Sequence, residues 1–177
     1  MIVINTERLN ICKITMADAD SLSEVLSDPM IMKYSTVGVH TQQQIKEFIL
    51  NCQKNHDING FGHWAIYDVS SNAFVGICGL NKHDVDGSEL IHINYRLARA
   101  QQGKGYATEA VNGVLDFAMT KLNLDKIYAI IEPQNKSSLN VVKRTGFEFI
   151  KSATFRGLDV ELFSFTLSAL SLKKDSM

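Results

Sequence analysis

The sequence predicts an α/β protein with a mixed sheet, ordered β-α-α-β-β-β-α-β-α-β-β. Three observations carry that expectation. The segment "ELIHINYRL" alternates cleanly, with Ile91, Ile93, Tyr95 and Leu97 on one face and His92, Asn94 and Arg96 on the other. Ala107, Ala110, Val111, Val114, Leu115, Ala118 and Leu122 keep a helical period. Between these two segments, "QQGKGYATEA" places two glycines and a lysine where strand gives way to helix.

The elements follow in order. "ERLNICKI" reads as the first strand. Thr15 and Asp18 have capping-box spacing, and Pro29 stops the helix they open. A second helix opens at Thr41 with Gln44, and Ile45, Phe48, Ile49 and Cys52 form its buried stripe. "HWAIYDV" and "AFVGICGL", joined by "SSN", read as a hairpin leading to the alternating strand. After the long helix, "KIYAII" is a short buried strand and "SSLNVVKRT" a short helix closed by Gly146. "FEFIKSATF" and "DVELFSFTL" finish as a strand pair.

A chain of 177 residues suits one domain, 1–177, with a real core. An apolar share of 45% with 21% charged residues fits a globular protein. Net charge is −1, so neither a nucleic-acid partner nor an anionic membrane surface is expected, and any anion must bind locally. The N-terminus lacks the features of a signal peptide, and no apolar run approaches the ~20 residues of a membrane helix. A cytoplasmic location is expected. Cys12, Cys52 and Cys78 read as buried thiols, and His40, His56, His63, His83 and His92 show no metal-ligand pairing, so no metal is expected.

The glycine stretch has two readings. Gly103 and Gly105 can serve a tight turn, or they can bring unpaired N–H groups at a helix start close to a phosphate. The P-loop pattern is not met, and the dinucleotide fingerprint fails at Thr108, where its third glycine belongs.

"QGKGYA" at 102–107 satisfies the pattern Q/R-x-x-G-x-G/A, with Gln102, Gly105 and Ala107 in the defining places. "NKSSLNVVKRTGF" satisfies N-x-x-S-(x)7-G-F through Asn135, Ser138, Gly146 and Phe147. With "TERLNICKI", "GHWAIYD" and "FVGICGL" in that order, the chain over residues 5–167 resembles the GNAT N-acetyltransferases, and among them the RimJ/RimL-type branch. The resemblance implies acetyl-CoA as co-substrate, lying between splayed strands at 89–97 and 127–131. It implies pantetheine contacts near Leu97 and Arg99. Pyrophosphate contacts would come from Gln102, Gly103, Lys104, Gly105, Tyr106, Ala107 and Thr108, with Asn135 on the pantetheine and Ser138 near the sulfur.

Attack of a neutral amine on a thioester needs a base, an oxyanion donor and a proton for the thiolate. The Leu97 N–H is the expected oxyanion donor. Many family members carry a tyrosine where this chain has Val142, and the branch resemblance puts Ser138 in its place, either as the acid or as a helix cap. His92 is the first candidate base, for its intrinsic pKa, with a buried structural role as the alternative. His63 is the second candidate, and an ordered water the third. Trp64, Tyr34, Tyr67 and Tyr95 either line an acceptor pocket or fill the core, and segment 30–41 lies where acceptor specificity is usually set in this family. An α-amine at ~8 asks less of a base than a lysine at ~10.4, which favours a protein N-terminus or small amine as acceptor. A homodimer is a candidate assembly. The alternative from another class is an acyl-CoA-binding sensor without turnover.

Overall fold

Strands β1 (Ile2–Asn5) and β2 (Leu9–Lys13) open the chain, followed by helices α1 (Ala19–Leu26) and α2 (Gln42–Asn59). Then come β3 (His63–Asp68), β4 (Phe74–Val85), β5 (Ser88–Leu97), α3 (Tyr106–Thr120), β6 (Lys126–Ile131), α4 (Lys136–Thr145), β7 (Glu148–Phe155) and β8 (Leu158–Thr166). This is a computed structural model that describes residues 1–166, so the end of the expected 1–177 domain and Leu167 of the last strand lie outside the described residues. No helix among the described residues is long and apolar enough to cross a membrane.

The eight strands form one sheet in the order β1-β2-β3-β4-β5-β6-β8-β7. All neighbours are antiparallel except β5 and β6. The helices cover both faces. Val111, Val114 and Leu115 of α3 pack with Leu139 and Val142 of α4 against Trp64, Leu80, Ile93 and Ile127. Leu22 and Val25 of α1 pack with Ile45 and Ile49 of α2 against Ala65 and Ile77 on the other face. The alternation of β5 is therefore real: Ile93 and Leu97 belong to the α3 side.

Local signals set most helix ends. Thr41 and Gln44 form the expected capping box of α2, and Gly60 ends that helix in the left-handed conformation at φ 76°. Thr15 and Asp18 also form their box, but it opens a 3-10 turn that leads into α1. One strand differs from expectation. The segment read as the first strand is β2, and an additional strand, β1, precedes it and pairs with it from Ile2↔Cys12 to Asn5↔Asn10. The Thr6 N–H bonds to Leu9 O and turns the chain between them. β1 is an edge strand with Ile2 54% exposed, so its apolar pattern is too weak to announce a strand before its partner is in place.

Gly79 of β4 marks a close approach between β3 and β4. A Cβ there would stand 2.7 Å from His63 Cα and 2.8 Å from Gly62 O, both backbone atoms. Gly79→Ala is expected to cost about 1–3 kcal/mol, because β3 or β4 must shift to admit the methyl group. Urea denaturation measures it, and a loss below about 0.5 kcal/mol, the range of an ordinary surface change, would contradict the close approach.

Candidate functional site

β5 and β6 share a single paired position, His92↔Tyr128, and part beyond it. β5 meanwhile stays paired with β4 from Val85↔Ser88 to Gly76↔Leu97. The opening therefore lies at the C-terminal ends of two parallel strands, where α3 and α4 both begin. The Ala98 N–H bonds to Val75 O on the β4 side. Backbone N–H groups alternate along a strand, so the Leu97 N–H faces the opening.

The glycine stretch forms the floor of that opening. Gly103 and Gly105 both have positive φ, 75° and 80°, and Gly105 is the N-cap residue of α3. The first α3 carbonyl bond is Glu109 N–H to Gly105 O. Among the described residues, the N–H groups of Gly103, Lys104, Gly105, Tyr106, Ala107 and Thr108 have no protein acceptor. A Cβ at Gly103 would meet nothing within 4 Å. Open space, six free amides and a helix N-terminus together suit a phosphate.

The side chains expected in this region mostly hold the loop in shape. Gln102 Nε2 donates to Leu97 O at 3.1 Å, tying the loop to the end of β5. Lys104 Nζ reaches Gln101 Oε1 and remains exposed. The Tyr106 hydroxyl donates to Asp68 Oδ2 at 2.8 Å. Arg99 makes a two-pronged bond to Asp28 at 2.5 and 2.7 Å, fastening the loop to the segment after α1 and holding the Asp28 carboxyl down at about 2.

Arg8 is a residue that sequence reasoning missed. Its guanidinium bonds Glu109 at 2.6 Å and Lys104 O at 3.0 Å, and Nη2 stands 3.5 Å from where a Gly105 Cβ would be. Thr6 Oγ1 also donates to Glu109, at 2.6 Å. The partners lie about a hundred residues apart in the chain, so no local pattern could pair them.

At the other wall, Asn135 is the true N-cap of α4, and its side chain accepts from the Ser138 N–H. The cap reading of Ser138 is thereby corrected: Ser138 sits inside the first turn, half-buried, and its carbonyl accepts a 2.9 Å bond from the Tyr95 hydroxyl. Val142 is fully buried in the core.

The family model of the acetyltransferase (GNAT) domain matches residues 8–148. The chain belongs to the GNAT acetyltransferases. It is 32% identical over 178 residues to the N-acetyltransferase p20 of Bacillus licheniformis, covering 93% of this chain and 96% of that one. The spermidine N(1)-acetyltransferase of Escherichia coli K12 is 34% identical over 91 residues, 46% of this chain and 48% of that protein. Among solved structures, the ribosomal L7/L12 α-N-protein acetyltransferase RimL in complex with coenzyme A shares the fold. It has a TM-score of 0.79 at 16% identity, covering 96% of this chain and 99% of that one.

The acetyltransferase keeps His63, His83 and His92 on the sheet face opposite α3. His92 is 9% exposed and its Nε2 has no partner. Burial, then the neighbouring His83 and His63, bring its pKa down to about 3. His63 also falls to about 3, through burial and the Arg96 charge. The expectation that His92 titrates near neutrality is corrected on this ground: it is a neutral imidazole that resists taking up a proton. Trp64 is fully buried against Phe117 on the α3 side, so it belongs to the core rather than to an acceptor pocket. Tyr34 bonds Gln134 O, joining segment 30–41 to the loop before α4.

A buried imidazole with a depressed pKa makes the folded state refuse protons that the unfolded chain accepts below about 6.5. Stability is therefore present in full above that pH and falls as pH drops from about 6.5 toward 3. Between pH 6.5 and about 5, ordinary carboxylates stay ionised and the histidines dominate the slope. Tm is expected to decline across that window, and His92→Gln to flatten the decline; an unchanged slope would contradict the assignment.

Proposed function

We propose that this GNAT enzyme transfers the acetyl group of acetyl-CoA directly to a primary amine, either a protein N-terminal α-amine or a small amine. The observation that carries the reading is the row of free amides from Gly103 to Thr108, opening onto the divergent ends of β5 and β6. Relatives and neighbours support both acceptor classes: one is named for spermidine, another for a ribosomal protein N-terminus.

Acetyl-CoA supplies an activated thioester carbonyl and a thiol leaving group. The amides of residues 103–108 hold the pyrophosphate, and the Gly105 conformation keeps them pointing outward. The Leu97 N–H donates to the carbonyl oxygen as negative charge builds there. The neutral amine is the nucleophile. Its proton leaves through ordered water to bulk solvent, because burial keeps His92 and His63 from carrying a positive charge. The Ser138 hydroxyl returns a proton to the departing sulfur, and the Tyr95 phenol holds that first turn of α4 in place through its bond to the Ser138 carbonyl. Burial pushes the Tyr95 pKa up and keeps it protonated.

Acetyl-CoA is expected to raise Tm in a concentration-dependent way. Gly105→Val should abolish that rise, because φ 80° is strained for a branched residue and its side chain crowds the Arg8 guanidinium that braces the loop. Unchanged acetyl-CoA stabilisation in a folded Gly105→Val variant would move the site elsewhere.

Ser138→Ala and Tyr95→Phe should each lower kcat about 10- to 100-fold, since a thiolate of pKa ~8.5 is helped only moderately by protonation. Because Asn135 is the cap, Ser138→Ala should shift stability by less than about 0.5 kcal/mol. An unaltered kcat in both variants would leave protonation to solvent.

A further inference from the structure

The sheet face under α2 carries polar side chains where the other face is apolar. His63, Asn81, His83, His92, Asn94 and Arg96 alternate along β3, β4 and β5 with side chains of the α3-side core. Asn81 lies directly opposite His92, and its Nδ2 approaches His63 Nε2 at 3.4 Å. The β7–β8 turn and segment 30–41 meet beside this face. Arg156 donates to Thr36 Oγ1 at 2.6 Å, and its second nitrogen stands 3.4 Å from His83 Nδ1.

Among the described residues, no carboxylate acts on His63, His83, His92 or Arg96. The ion pairs among the described residues engage Arg8, Lys82, Arg99 and Lys151; none engages Arg96 or Arg156. The charges acting on His63, His83 and His92 come from Arg96, Arg156 and other imidazoles. His40, in the covering segment, also feels Arg96. Arg96 is half-buried, and burial lowers its pKa, yet a guanidinium stays charged at any working pH. His92 Nε2 and His40 Nδ1 are buried without partners. A cavity of about 170 Å³ adjoins the cluster through Asn81 and His83, and its remaining lining (Asn55, Asn59, Phe61, Leu80, Lys82) holds no carboxylate.

A cation withdrawn from water with no counter-charge is costly, and unpartnered polar atoms beside it add to the cost. An oxyanion placed on Arg96 relieves it, because the planar guanidinium offers paired donors to carboxylate or phosphate. Neutral imidazoles add N–H donors without requiring protonation. A polyamine finds the opposite surroundings: its second ammonium would meet two guanidinium groups and no carboxylate. We propose that the acceptor is a small primary amine that carries its own carboxylate or phosphate, bound by Arg96 while the amine faces the cleft. This rests on the acetyl-transfer reading above and names its substrate class.

The test offers matched amines with and without the oxyanion to the acetyl-CoA-loaded enzyme: glycylglycine against glycylglycine amide, phosphoethanolamine against ethanolamine, and spermidine as the cationic member. The oxyanion member of at least one pair should lead by about tenfold or more in kcat/KM, and which pair responds tells carboxylate from phosphate. Arg96→Gln should reduce that lead to under about threefold, leave the Tm rise with acetyl-CoA intact, and not lower the Tm of the free protein. A structural arginine would instead lower that Tm. Preference for spermidine or the neutral members overturns the proposal, as does a preference that survives Arg96→Gln. If no amine is acetylated, the same ligands are scored by Tm on the CoA complex: a rise with glycylglycine or phosphoethanolamine that Arg96→Gln removes supports the proposal, and no rise overturns it. Failure to bind acetyl-CoA would count against the acetyl-transfer reading, and oxyanion-dependent stabilisation of the free protein would then be scored separately.

Discussion

Everything at the site depends on two parallel strands that touch at one residue pair and then separate. Parallel strands carry their C-terminal ends to the same edge of a sheet, so the helices that follow begin there together. That arrangement brings the free amides of α3 opposite the N-terminus of α4. Had β5 and β6 stayed paired to their ends, the Leu97 N–H would be consumed by the ladder and no cleft would remain. The sheet tolerates the opening because each strand is fully paired on its other side, β5 with β4 and β6 with β8.

Long-range ties hold the walls of the opening in place. Arg8 and Glu109 join the first hairpin to the start of α3, and Arg99 and Asp28 join the glycine loop to the segment after α1. On the opposite wall, Tyr95 reaches across from β5 to the first turn of α4. The side chains of the loop therefore work mainly as scaffold, and the backbone is left free to meet a ligand. An exposed ion pair adds little to stability by itself, but these pairs sit where they fix the position of a binding loop.

The two faces of the sheet are unlike. Under α3 and α4 the side chains are apolar and close-packed, which gives the cleft a rigid support. Under α2, β3, β4 and β5 present imidazoles, amides and a guanidinium. Burial keeps the imidazoles neutral, so this face offers hydrogen-bond donors and acceptors beside the fixed charge of Arg96. On the proposed reading, chemistry and acceptor recognition fall on different sides of β5, whose side chains alternate between them.

The sequence by itself determined the fold class, most elements and the location of the glycine loop. Those features rest on short-range physics: alternation in β5, the helical stripe of α3, the Thr41–Gln44 box and the left-handed glycines at 60, 105 and 146. It also marked Asn135, Ser138 and Val142 as positions of interest, without saying which of them caps α4. Only the tertiary structure decided what depends on partners distant in the chain. The edge strand β1 needed β2, Arg8 needed Glu109, and Ser138 met Tyr95 only once the cleft had formed. His92 shows the difference most clearly. Its residue type suggests a titrating base, but a pKa is a property of surroundings, and burial beside other imidazoles and Arg156 comes from packing that no local pattern records.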